Sequence, residues 1–484
     1  MNKKLYIALG VCAVFILLNS FAIAYEFFYI PLLSASAVIL YLLFFRYDLL
    51  IYLMAFATPL SIIFSEEKID LGLSVPAEII MILLTCLFFA RLLYDVRLER
   101  KIIFHPISIL IYIYLFWMLI TSITSELPIV SFKFLASKIW FITACFFCVI
   151  QLIRNHFNKI IVFINCYVSA LAIVIIISTI KLALNGFAKR GMHWVMSPYY
   201  NDHTAYGAAI AFFIPLIIAL IAVDGKTLWK KIYYFLMLAI LFTGFYFSFC
   251  RAAWLSIIVA FFIFIIIKLR IKLSWLIIGS AMIFFVLYNF SDEILYKMGR
   301  NSQDSSGKFV EHITSISNIS TDASNVERLN RWVSAFGMIE ERPVFGWGPG
   351  TYQFVYAGYQ QAKYKTIITT NFGDGGNAHS EFIGPTAESG FVGLATVLAL
   401  MGVTLYTGIS AYISAKRKKL RILSLAATLS LISYYIHGTM NNFLDTDKLS
   451  LPFWMAIAII VVVDIHNRES LEPSVETDGN TPNP

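Results

Sequence analysis

The chain is 484 residues long, 59% hydrophobic and only 14% charged, with 42 phenylalanines and a mean hydropathy of +0.76. Soluble domains run at roughly 45–50% apolar and about 25% charged, so this composition excludes a soluble fold and equally a disordered chain. The net charge of +8 must be traced to particular positions before it says anything about nucleic acid.

A helix needs about 20 apolar residues to cross the bilayer core. Such runs fall, in chain order, at about 5–24, 27–45, 49–64, 76–94, 106–123, 135–153, 159–181, 203–223, 232–249, 252–269, 273–290, 391–413, 420–438 and 451–464. Several are short, so they predict an all-α polytopic transmembrane bundle of about 12–14 spans. The first run follows Met1-Asn-Lys-Lys without a convincing small-residue cleavage site, and reads as an uncleaved span rather than a signal peptide. The six cysteines lie in or beside these runs. Cys145-x-x-Cys148 sits within FITACFFCVI and reads as core packing, not redox chemistry.

Charge sets the orientation. With the N-terminus in the cytoplasm, 21 of the 37 Lys and Arg residues fall on the cytoplasmic side, most densely at 416–421. Short outer loops carry eight, and the long loop 291–390 carries eight more, which weigh little in the positive-inside rule. Both termini are then cytoplasmic. The basic excess is topology and implies no nucleic-acid partner. The organisation is eleven spans over 1–290, a large outer loop over 291–390, three spans over 391–466, and a polar tail over 467–484.

The outer loop begins with a polar Ser/Asn-rich stretch. Ser324-x-x-Glu327 then reads as a capping box. It precedes Val326, Leu329, Trp332, Val333, Phe336 and Ile339, whose spacing gives a helix one apolar face. Pro343 ends that helix. FGWGPG (345–350) reads as a turn, and because it follows no strand it does not predict a nucleotide loop. A second amphipathic segment at about 351–365 completes a helical cap of the kind that lies on a membrane surface.

Three outer-side residues carry the strongest chemical signal. Arg251 stands between two apolar runs with almost no loop; a snorkelling arginine is the plain alternative. Arg190 lies in FAKRGMHWVMSPYYNDHTAYG, where an ordinary loop charge is the plain alternative. Two arginines at one water–membrane boundary can grip phosphate in a bidentate way. His379, in GDGGNAHSEFIGPTAESGFVG, titrates near neutrality and can serve as a general base or acid, although a lone histidine is more often structural. Glu381 and Glu388 flank it and could orient or tune it. The other seven histidines show no metal-ligand spacing. Asp445-Thr-Asp447 is too short a match to predict a metal site.

On these residues the chain resembles the O-antigen ligase and polymerase superfamily of bacterial envelope glycosyltransferases, over about 160–460. The ligase signature His-[Asn/Ser/Gln]-x9-Gly-x-x-Gly is matched by His379-Ser380, nine residues, then Gly390-Phe391-Val392-Gly393. The Arg-x-x-x-Leu element is matched by Arg251-Ala252-Ala253-Trp254-Leu255. Arg190 before SPYYND matches a further family arginine, and 327–352 looks like the family's helix-Pro-Gly-x-Gly-x-Gly turn.

The resemblance implies a GT-C-like fold in the bacterial inner membrane, with a periplasmic active site. It implies a donor glycan on undecaprenyl diphosphate and an acceptor hydroxyl on lipid A-core, or on another glycan or a protein. His379 would be the base. Arg190 and Arg251 would bind the leaving diphosphate, with Glu381, Glu388, Gly390 and Gly393 in support. Transfer would invert the anomeric centre without metal or cofactor. A repeat-unit polymerase and a protein O-oligosaccharyltransferase share much of this pattern. A lipid-linked oligosaccharide flippase fits less well, because the spans lack mid-membrane charges and no internal repeat is evident.

Overall fold

The computed structural model describes residues 14–64 (apart from 16, 23 and 28), 72–94, 98–188, 191, 194–271, 323–361 and 376–470. The run at 273–290, the polar stretch 291–322, the start of the first run and Arg190 lie outside the described residues. The helices are α1 (Tyr29–Phe45), α2 (Tyr47–Leu60), α3 (Ala77–Tyr94), α4 (Arg100–Ile103), α5 (Pro106–Ile123), α6 (Pro128–Arg154), α7 (Lys159–Leu184), α8 (His203–Val223), α9 (Leu228–Phe247) and α10 (Arg251–Leu269). After them come α11 (Ala323–Glu341), α12 (Tyr352–Val355), α13 (Ile383–Ser414), α14 (Lys418–Gly438) and α15 (Asp447–Glu469). Among the described residues ten are long and apolar enough to cross a membrane, and α1 and α2 are shorter apolar helices. The all-α polytopic bundle expected from hydropathy is borne out.

Three boundaries depart from the hydropathy reading. The run at 49–64 is helical only to Leu60; Ser61 turns extended, and Ile62–Phe64 pairs antiparallel with Leu73–Val75. β-Branched and aromatic residues such as Ile-Ile-Phe suit that pairing. α6 begins at Pro128, a first-turn position that proline favours, and passes through a π-helical turn at Thr143–Phe147. Cys145 and Cys148 are buried free thiols there, as core packing requires. α13 begins at Ile383, eight residues before its apolar run at 391.

α15 is the central pillar. Nine-tenths of its membrane window is buried (94%), against 17% for α9 and for α10. Its residues are apolar on every side, the pattern of a helix with no exposed face, and Leu449, Met455, Ile459 and Val463 are fully buried. Around it, α8 and α10 both pack on α14, and α13 packs on α5 and α14. One end of the bundle is tied by ion pairs from Arg154 to Glu99 (2.9 Å) and Glu469 (2.5 Å), and by a hydrogen bond between His105 and Asp464 (3.1 Å). That end carries the basic 416–421 segment. His379, Arg251 and the C-terminus of α14 lie at the other.

Candidate active site

A backbone exchange fixes the signature segment. Gly390 interrupts α13 with φ 68° and ψ −175°, a conformation that residues with a Cβ avoid. The kink frees three carbonyls on the preceding turn, and each finds a donor elsewhere. Trp347 N donates to Ala387 O (3.1 Å), Gly348 N to Glu388 O (2.8 Å) and Trp117 Nε1 to Ser389 O (2.8 Å). In return Phe391 N donates to Pro343 O (2.8 Å). FGWGPG is therefore a turn, as expected, and its Trp347 and Gly348 N–H groups are spent on α13 rather than on phosphate. A Cβ at Gly390 would fall 1.9 Å from the Val344 carbonyl oxygen. Gly393 passes beside Trp117, whose Nε1 would lie 3.6 Å from an added Cβ. Both signature glycines thus sit at a joint.

His379 lies in the loop before α13, half-buried, with φ 47°. A left-handed conformation of this kind costs a non-glycine residue about 1–3 kcal/mol, and such strain gathers at functional sites. Asn377 holds it: its Oδ1 accepts the His379 N–H (3.0 Å), and its own carbonyl accepts from Arg331 Nη1 (2.9 Å). A Cβ at Gly376 would meet Arg331 Nη1 at 2.0 Å, so the guanidinium lies directly under the loop. Arg331 Nε donates to the buried Glu327 Oε1 (2.9 Å). Burial above all, and then the charges of Arg331 and Arg328, push the His379 imidazole down to about 3, against the pull of Asp202. At neutral pH it is an uncharged acceptor.

The same two charges reach further. Asp202 and Arg328 are charged neighbours of Cys250, the residue before Arg251, and of His437 in the last turn of α14. Asp202 caps α8, its Oδ1 accepting from Thr204 N (2.5 Å) and Ala205 N (3.0 Å). Arg251 is the first residue of α10, half-buried. α8 and α10 meet closely there: a Cβ at Gly207 would lie 2.8 Å from Cys250 Cβ. Asp202 and Arg328 are thus common charged neighbours of His379, of His437 and of the residue before Arg251. Guanidinium groups so placed suit an anion of phosphate type. Of the residues expected from sequence, His379 and the start of α10, where Arg251 stands, meet these same two charges. Arg190 lies outside the described residues.

Arg328 and Arg331 escaped the sequence reading, which followed the apolar stripe of α11. Of that stripe Ile339 is buried, Phe336 is half exposed, and Val326, Leu329, Trp332 and Val333 are partly so. The buried stripe is Glu327, Asn330, Arg331, Ser334, Ala335 and Met338. A charged pair four apart, Glu327 and Arg331, was the available signal. Of the Ser324-x-x-Glu327 capping box, Glu327 bonds Arg331, and the side chain of Ser324 lies outside the described residues.

Glu381 and Glu388 turn away from His379. Glu381 Oε1 accepts from Phe443 N (2.7 Å), Leu444 N (2.9 Å) and Tyr434 Oη (2.5 Å), and Glu388 Oε1 accepts from Tyr352 N (3.1 Å). Both line a separate cavity of about 80 Å³ with Tyr114, Lys138, Tyr434 and Asp445. There Lys138 Nζ donates to Asp445 Oδ1 (2.8 Å) and Leu444 O (2.8 Å). Asp447 instead lies 3.6 Å from Lys448 Nζ, so the two aspartates of the D-x-D face different partners. Among the described residues no cluster of three or more His, Cys, Asp or Glu side chains is placed to hold a metal ion.

Residues 236–398 match the family model for O-antigen ligase. The matched stretch contains Arg251, Arg328, Arg331, His379, Gly390 and Gly393, and bears out the resemblance to the O-antigen ligase and polymerase superfamily. No curated protein matches the chain. The match and the ten apolar helices support a glycosyltransferase-like, multi-pass membrane protein.

Proposed function

We propose that the protein is an O-antigen ligase-like glycosyltransferase, moving a glycan from undecaprenyl diphosphate to a hydroxyl of lipid A-core at the periplasmic face of the inner membrane. The observation that carries this reading is an uncharged, conformationally strained His379 set beside Arg328 and Arg331, inside the matched stretch.

The chemistry follows from the residue types. The acceptor hydroxyl gives its proton to an imidazole nitrogen of His379 as its oxygen attacks the anomeric carbon. The bond from that carbon to the diphosphate breaks, and the electron pair leaves with the lipid diphosphate. Attack from the opposite face inverts the centre. General-base assistance supplies about 10²–10⁴-fold. Arg251, Arg190 and the newly recognised Arg328 and Arg331 stabilise the growing diphosphate charge, as preorganised donors do. Donor binding also changes the base. Burial contributes most to holding His379 low; a diphosphate beside Arg328 and Arg331 offsets their added push, so His379 becomes a stronger base once its substrate is present.

The deciding experiment is a lipopolysaccharide gel of a strain lacking the gene, run beside an assay of carrier-linked glycan. Loss of every O-chain band from the lipid A-core, with long glycan accumulating on the carrier, is the expected result. A core bearing one repeat unit means a polymerase instead. An unchanged ladder overturns both and directs the search to protein glycosylation. Arg251→Lys should abolish transfer, because an ammonium cannot make the bidentate grip; full activity would return Arg251 to a snorkelling role.

A further inference from the structure

A second cavity, of about 750 Å³, opens at the opposite end of the bundle from His379, where α7, α9 and the start of α14 meet. Its charge is one-sided. Lys226, Lys230 and Lys419 line it against Asp224 alone, and Asp224 is already occupied, accepting from Lys230 Nζ (2.9 Å) and Tyr234 Oη (2.8 Å). Lys419 Nζ is held in place by Asn158 Oδ1. Among the described residues the cavity thus presents fixed positive charge with no further carboxylate in its lining.

Two more observations narrow the ligand. Asn165, bonded through Nδ2 to Tyr234 Oη (3.3 Å), keeps its Oδ1 buried without a hydrogen-bond partner among the described residues. A buried acceptor in that state calls for a hydroxyl or amide donor. The mouth of the cavity also continues into apolar helix faces. Trp229 at its rim is 79% exposed, and Ile232 and Leu236 follow it along α9, while Val162, Ile173 and Ile176 form an exposed stripe on α7. A soluble phosphate compound would gain nothing from those walls, whereas acyl chains would. Basic pockets between helix ends at the cytoplasmic boundary are a recurrent way of holding lipid headgroups.

We propose that this cavity binds an anionic phospholipid whose headgroup bears hydroxyls, of the phosphatidylglycerol type. The phosphate sits between Lys226 and Lys419, a glycerol hydroxyl donates to Asn165 Oδ1, and the acyl chains lie along α7 and α9. The inference is independent of the transfer chemistry at the other end.

Native mass spectrometry and thermal unfolding of the full-length protein in neutral detergent test it. The probes are short-chain phosphatidylglycerol, the matching phosphatidylcholine, and free glycerol phosphate. Phosphatidylglycerol is expected to remain bound and raise the unfolding midpoint, and the other two are not. Lys226→Gln with Lys419→Gln should weaken phosphatidylglycerol binding about thirtyfold, at roughly five- to sixfold per lysine. Lys268→Gln, at the C-terminal end of α10, should leave it unchanged. Asn165→Ala should reduce the preference for phosphatidylglycerol over phosphatidic acid. If the double variant does not fold, the Lys226→Gln and Asn165→Ala single variants carry the test. Undiminished binding in the lysine variants overturns the proposal. So does an equal response to phosphatidylcholine, or an equal response to glycerol phosphate.

Discussion

His379 and Glu381 are two residues apart, yet they belong to different worlds. His379 faces Arg328, Arg331 and Asp202, with its ring held neutral and its backbone strained. Glu381 faces the cavity of Lys138, Asp445 and Tyr434, where one carboxylate oxygen takes three hydrogen bonds. Both regions are rich in ionisable groups. In the second, the groups satisfy one another and pin the 443–444 backbone to the start of α13. In the first, Arg328, Arg331 and Asp202 set the field around a neutral, strained imidazole, the kind of perturbed group that gathers at functional sites.

Substitutions can break or sharpen this contrast. The largest effect is expected from His379→Ala: transfer falls about 10²–10⁴-fold, while membrane insertion, checked by expression and protease accessibility, is unchanged. Wild-type transfer by a correctly inserted variant would end the general-base role. Next come Arg328→Ala and Arg331→Ala. Each is expected to lower transfer about 10²–10³-fold as a lost charge stabiliser. Arg331→Ala also lowers stability, because it leaves Glu327 buried without its partner. Glu381→Ala belongs to the other region. It should cost stability, about 1–3 kcal/mol for each buried donor left unpaired, with residual activity tracking the amount of folded protein. Glu381→Gln keeps the accepting oxygen and should change transfer less than tenfold.

The smallest and most diagnostic effect is in pH dependence. His379 is held at about 3 in the free enzyme, so its neutral form persists well below the ordinary histidine range. The acid limb of kcat/KM attributable to His379 should therefore lie below pH 6.5. The acid limb of kcat, which reports the donor complex, should lie higher, because bound diphosphate offsets the arginines. The same depression affects folding. An unfolded histidine protonates as pH falls through about 6.5, so the contribution of His379 to stability is full above that value and declines as pH drops toward 3. A single acid limb at 6.5 in both kinetic parameters would show that the arginine field does not act on the catalytic histidine.

Hydropathy made most of the fold legible, since α5 and α8 match their runs residue for residue. It failed where polar residues are satisfied by distant partners. The Gly-Pro-Thr-Ala-Glu-Ser-Gly opening of α13 looks like loop, because Trp117 and the 346–348 turn that complete its hydrogen bonds lie far away in sequence. Likewise Ser131 and Lys133 concealed the first turns of α6. The candidate site divided in the same way. The His379 signature was visible as a spacing, and Arg251 as a charge between apolar runs. Arg328 and Arg331 were not, because the spacing on α11 that stands out in the sequence is its apolar stripe, whereas both arginines belong to its polar residues.

The joint at Gly390 has a biosynthetic consequence. The donors that complete α13, Trp117 and the turn at 346–348, all precede their acceptors in the chain. They therefore leave the ribosome first. A helix with a broken hydrogen-bond ladder would be a poor candidate for entry into lipid, where each unsatisfied backbone group is costly. Here the complementary surface has already been synthesised when the helix emerges, so insertion and docking can proceed as one event. Moving the turn behind α13 by circular permutation would preserve every contact and reverse that order.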